Sequence, residues 1–138
     1  MSNKNISFIL HKPQLSENIG ACARAMKNFN FQKMIVIDPK PIYPNDKILA
    51  TSVGAKNIIS KSKNFNTLEP ALKNIDTVIH LANIANDPGV ELNHNLSWEV
   101  NVLSLYDIMV KCAKSKIKHF IYSSSGSVYG IKKERDVT

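Results

Sequence analysis

The chain has 138 residues, 43% of them hydrophobic and 21% charged, with a formal net charge of +7. That is one domain's worth of ordinary globular composition, long enough to bury a core. It excludes a membrane-spanning helix, since no apolar run reaches about eighteen residues, and no amino-terminal export signal is expected, since the core "ISFIL" is too short for one.

In chain order, "ISFIL" (6–10) reads as a buried strand, and Pro13 in "HKPQLSE" breaks regular structure behind it. Asn18 can cap a helix from about Ile19 to Phe29. "KMIVID" (33–38) is the next strand, closed by the three prolines of "PKPIYPN". A helix is expected over 45–52 and a short strand at "AKNIIS" (55–60). "TLEPALKNI" (67–75) reads as a short helix with Thr67 as its cap. "DTVIHLA" (76–82) is a strongly apolar strand. Ser97 can cap a long helix to about Ser115, and "KHFIYSS" (118–124) is the last strand. Short apolar strands between helices predict an α/β fold: a small parallel sheet with helices on both faces.

The positive charge is uneven. Residues 1–76 carry eleven Lys/Arg against five Asp/Glu, a balance of +6, while residues 77–138 carry seven against six, a balance of +1. A basic half points to a polyanion such as RNA, or reads equally as a solvated lysine surface. Four histidines and two cysteines show no metal-ligand spacing. Cys22 and Cys112 are expected as reduced thiols in a cytoplasmic protein.

Two constellations carry chemistry. In "SENIGACARAMK", Asn18 and Gly20 open a helix and Arg24 lies one turn beyond the glycine. A helix N-terminus, a glycine permitting close backbone approach and a bidentate arginine could form an anion-binding corner. Taken alone, the same residues read as a cap and a solvated arginine.

The wider stretch, P-Q-x-x-E-N-I-G-A-x-A-R-A-M-K-N-F, then a strand, Asp-Pro and A-x-x-x-G-A, resembles SpoU-type RNA ribose 2′-O-methyltransferases of the SPOUT class. The resemblance covers about residues 5–75 and is closest to the tRNA-modifying branch. It implies RNA (tRNA or rRNA) as partner and S-adenosylmethionine as cofactor. It implies that Asn18 positions the RNA or the arginine, with Gly20 beside them. It also implies that Arg24 orients the target ribose and phosphate and assists the 2′-hydroxyl. The family's knotted cofactor-binding segments have no counterpart in this sequence.

The second constellation is "VIHLAN", "WEVNV" and "HFIYSSSGSVYG". Together these resemble the middle of NAD(P)-dependent epimerase/dehydratases, the extended short-chain dehydrogenases. The resemblance implies NAD(P) and a nucleotide sugar as ligands. Ala82 and Asn83 would line the nicotinamide–ribose edge, and Asn101 would support the active-site water and backbone network. Ser125 would hydrogen-bond the substrate oxygen. Without its flanks, the serine cluster reads as a flexible polar turn. A Gly-rich Rossmann loop is missing from the sequence, and Tyr129, although spaced Tyr-x-x-x-Lys to Lys133, belongs to the Val-Tyr-Gly turn and does not stand in for that family's proton donor.

The sequence therefore predicts two partial domains, 1–75 of SpoU type and 76–138 of epimerase/dehydratase type, joined near residues 70–77. The expected function is that of a SpoU-type RNA 2′-O-methyltransferase, incomplete and inactive alone. Alternatives are an epimerase/dehydratase fragment and a non-catalytic chimeric α/β fragment. A homodimer is among the expected assemblies.

Overall fold

The computed structural model describes residues 5–82, 84 and 93–123. The chain divides into two compact units, Met1–Lys73 and Asn74–Thr138.

In the first unit the order is β1 (Ser7–His11), α1 (Ser16–Asn28), β2 (Lys33–Ile37), α2 (Asp46–Thr51), α3 (Lys56–Lys61), β3 (Lys63–Phe65) and α4 (Glu69–Leu72). The three strands are parallel in the order β1-β2-β3, with Ser7 beside Lys33 and Ile35 beside Lys63. Parallel neighbours require crossover connections, and helices supply them here. Alternation along the strands sends Phe8, Leu10, Met34 and Val36 to one face. On α1, Ser16, Ile19, Gly20, Ala23 and Met26 are buried, the three-and-four spacing of a single helical stripe. Ile19, Ala23 and Met26 pack with Met34, Val36, Ile48, Ala55, Ile58 and Ile59 into the core, flanked by Phe8 and Leu10.

The second unit holds β4 (Thr77–His80), α5 (His94–Trp98), a π-helical turn (Glu99–Leu103), α6 (Ser104–Lys114) and β5 (His119–Tyr122). β4 and β5 are parallel, with Thr77 beside His119 and His80 beside Tyr122. Ile108 and Cys112, one turn apart, are the buried residues of α6.

Several sequence expectations are corrected. The described strands form two parallel sheets, of three and two strands, rather than one. Residues 56–61 are helical, because burying Ala55, Ile58 and Ile59 together needs helical spacing. β3, unforeseen, follows at once. The first helix begins at Ser16, so Asn18 lies in its first turn and does not cap it. Neither Thr67 nor Ser97 is a cap. α4 begins at Glu69, and Asn93 caps α5 by accepting from the Leu96 N–H at 3.0 Å.

Candidate functional site

In a parallel sheet, ligands bind beyond the carboxyl ends of the strands. At that edge of the first unit, two residues continue the ladder past their strands. The Lys12 N–H donates to the Ile37 carbonyl at 2.8 Å, and the Asp38 N–H to the Phe65 carbonyl at 2.9 Å. Both then turn into the left-handed region, with φ of 52° and 44°. Non-glycine residues seldom adopt it, and such positions cluster at functional sites. Their charges face each other, Lys12 Nζ to Asp38 Oδ2, at 4.0 Å. The Lys40 N–H donates to the Pro13 carbonyl at 3.0 Å and ties the two loops together.

The first turn of α1 stands at this edge beside the first turn of α2. Asn45 joins them: its Oδ1 accepts from the Ile48 N–H at 3.0 Å, and its Nδ2 donates to the Ser16 hydroxyl at 2.9 Å. Nothing in the sequence reading singled out Asn45, although an asparagine ahead of an apolar helix is a capping signal. Glu17, in the first turn of α1, lies 4.0 Å from Lys47.

Asn18, Gly20 and Arg24 all sit within α1 but do not converge. At 3.6 residues per turn, Asn18 and Gly20 point about 160° apart, and Arg24 lies about 120° round and about 9 Å along from Asn18. Asn18 and Arg24 are exposed, whereas Gly20 is fully enclosed. The close approach expected at Gly20 is made by α2 rather than by a ligand. A Cβ there would collide with the Thr51 hydroxyl and lie 2.7 Å from the Ile48 carbonyl oxygen. The expected three-residue corner is therefore not assembled. Arg24 projects outward from a helix anchored by Gly20, and forms no ion pair among the described residues.

In the second unit, Asn101 lies in the π-helical turn and grips the backbone of Ile84. Its Oδ1 accepts from the Ile84 N–H at 2.7 Å, and its Nδ2 donates to the Ile84 carbonyl at 3.1 Å. Ala82 is exposed after β4. Asn83 and Ser125 lie outside the described residues. His80, the last residue of β4, is buried and stacks on Tyr122 and Phe120 at 5.9 and 6.3 Å between ring centroids. Its Nε2 has no hydrogen-bond partner among the described residues, and burial pushes its pKa below the ordinary histidine value. Burial also pushes the thiols of Cys22 and Cys112 up, and both are free. Raised thiols are poor nucleophiles.

No cluster of metal-ligating side chains occurs among the described residues. Neither described glycine opens a cradle for S-adenosylmethionine. Thr51 and Ile48 fill the space beside Gly20, and Gly54, with φ of 76° and open surroundings, stands alone.

The sequence profile of the SpoU rRNA Methylase family matches residues 5–127. The tRNA (cytidine-2′-O-)-methyltransferase TrmJ of Methanocaldococcus jannaschii is 36% identical over 74 residues, 54% of this chain and 32% of that protein. The tRNA (cytidine/uridine-2′-O-)-methyltransferase TrmJ of Yersinia pestis is 31% identical over 75 residues, 54% of this chain and 29% of that one. The chain thus spans about a third of the curated relatives it matches. The solved structure of a probable methylase family protein from Haemophilus influenzae shares the fold. Its TM-score is 0.53 at 20% identity, covering 88% of this chain and 46% of that one. Nothing in these comparisons supports the epimerase/dehydratase resemblance, and the family profile continues through residues assigned to it.

Proposed function

The chain belongs to the SpoU rRNA Methylase family, and from that premise we propose that it serves RNA ribose 2′-O-methylation by holding the RNA. The observation that carries this reading is Arg24. It occupies the family's Asn-x-Gly-x-x-x-Arg segment, faces solvent from a helix locked against α2, and has no ion-pair partner among the described residues. A guanidinium so placed can take a ribose-phosphate oxygen pair in bidentate fashion. Asn18, exposed in the first turn of the same helix, is a second RNA contact in this reading. Gly20 acts by positioning the helix. The two curated relatives described above are named as tRNA methyltransferases, which supports tRNA as the RNA; the cytoplasm as the compartment is part of the same proposal. S-adenosylmethionine would supply the methyl group. The described residues have the chemistry to bind and orient RNA, not to cradle that cofactor. Binding of tRNA at low salt, weakened in Arg24→Ala, tests the reading.

We propose as a second reading that the chain is built of two parts, 1–75 and 76–138. One observation favours it: Asn101 supports the Ile84 backbone through both ends of its amide, the role that the epimerase/dehydratase resemblance implies. NAD should then quench the fluorescence of Trp98, and a flat titration overturns this second reading alone.

A further inference from the structure

We infer that the edge of the first unit's sheet where the strands begin is a docking surface for the RNA phosphate backbone, separate from the edge that carries Lys12 and Asp38. The inference rests on the RNA reading above and locates where most of the polyanion contact lies.

Strand–helix alternation sorts residues to two edges. Strand ends and helix starts lie at one, helix ends and strand starts at the other. The acids of the first unit all fall at the strand-end edge. Glu17 is in the first turn of α1, Asp38 follows β2, and Asp46 and Glu69 begin α2 and α4. No acid occurs from residue 18 to 37 or from 47 to 68.

The strand-start edge has the opposite character. Lys27 is in the last turn of α1, Lys33 begins β2, Lys61 ends α3 and Lys63 begins β3. Lys63 lies beside Ile35, and Lys33 is two residues before Ile35, so both project from the same sheet face on adjacent strands. All four lysines are exposed, and none forms an ion pair among the described residues. By contrast, Lys12 and Lys47 at the other edge each face a carboxylate at 4.0 Å.

Helix dipoles account for Lys27 and Lys61, since cations favour helix C-termini. They do not account for Lys33 and Lys63, which begin strands. The edge is thus flanked by two lysines on each side of the sheet, Lys27 and Lys61 on helices packed against the Met34 and Val36 face and Lys33 and Lys63 on the opposite face, and with no acid between them they raise a local positive potential that attracts polyanions. Exposed Asn28 and Gln32 add neutral donors of the kind that contact phosphate oxygens. Phe29, which closes α1 at this edge, is 71% exposed and adds aromatic surface there. Lysines interleaved with amides and an aromatic ring fit a nucleic acid better than a lipid surface.

The test is the salt dependence of unfractionated tRNA binding by the full chain. The quadruple variant Lys27→Gln, Lys33→Gln, Lys61→Gln, Lys63→Gln should bind at least about tenfold more weakly at low salt. Its log K against log salt slope should fall by about 3, the share of four phosphate contacts. The quadruple Lys→Arg variant should keep the wild-type slope. If the glutamine variant loses its far-UV spectrum, Lys33→Gln with Lys63→Gln is measured instead, with a slope change of about 1.5 expected. An unchanged slope in a folded variant overturns the proposal, even where Arg24→Ala weakens binding and the RNA reading stands. Failure of the wild type to bind tRNA at all overturns both. Tighter capture by phosphatidylserine vesicles than by tRNA overturns the proposal in favour of a membrane surface.

Discussion

Gly20 of α1 is packed beneath Thr51 of α2 so closely that a Cβ would collide with the threonine hydroxyl and with the backbone of Ile48. In an open helix, alanine in place of glycine stabilises by about 1 kcal/mol. Here the sign reverses, because the obstructing atoms include a backbone carbonyl that cannot swing away. Gly20→Ala should cost about 1–3 kcal/mol, in the range of overpacking. Thr51→Ala added to it should recover only part, since the Ile48 carbonyl remains. Thermal melts of the three proteins decide this, and a Gly20→Ala protein that melts above wild type would refute the packing.

In the second unit the Asn101 amide has both ends on the Ile84 backbone. Asn101→Ala should destabilise by about 1–2 kcal/mol and speed hydrogen exchange at the Ile84 amide. Asn101→Asp keeps the acceptor for that N–H and should protect the amide better than alanine does. Equal exchange in all three proteins would show that the clamp does not order the segment.

His80 makes the second unit sensitive to acid. Burial lowers its folded pKa from 6.5, and among the described residues nothing accepts a proton from its Nε2. The unfolded chain therefore binds the proton more readily than the folded one. The contribution of neutral His80 is fully present above the unfolded value of about 6.5, and is lost as pH falls below it towards the folded pKa. The unfolding midpoint followed by Trp98 fluorescence should drop between about pH 7 and pH 5 in the wild type. His80→Gln should flatten that dependence. A wild-type midpoint constant across the window would contradict the assignment.

Much of the fold was legible in the sequence. Strands β1, β2, β4 and β5 announce themselves as short apolar runs, and α2 falls within the expected 45–52. Errors arose where tertiary contacts override local signals. "AKNIIS" carries two β-branched isoleucines that favour a strand locally, but Ile58 and Ile59 reach the core only from a helix. α1 starts at Ser16, whose hydroxyl accepts from the Asn45 amide twenty-nine residues away, a contact that no local signal announces. β3 is three residues without an apolar pattern, placed by pairing with β2. At the candidate site, the exposure of Arg24 followed from the helical stripe. The enclosure of Gly20 did not, because a glycine that admits a ligand and one that admits a helix read alike.

In the function proposed above, Arg24 is the outward-facing RNA contact. The direct measurement is the affinity of wild type and Arg24→Ala for tRNA across a salt series, with a thermal melt of each. A lost charge-assisted contact is worth about 1.5–3 kcal/mol, so the variant should bind roughly 10- to 100-fold more weakly with an unchanged melting temperature. Equal affinities, or no retention of tRNA by the wild type at low salt, would contradict it.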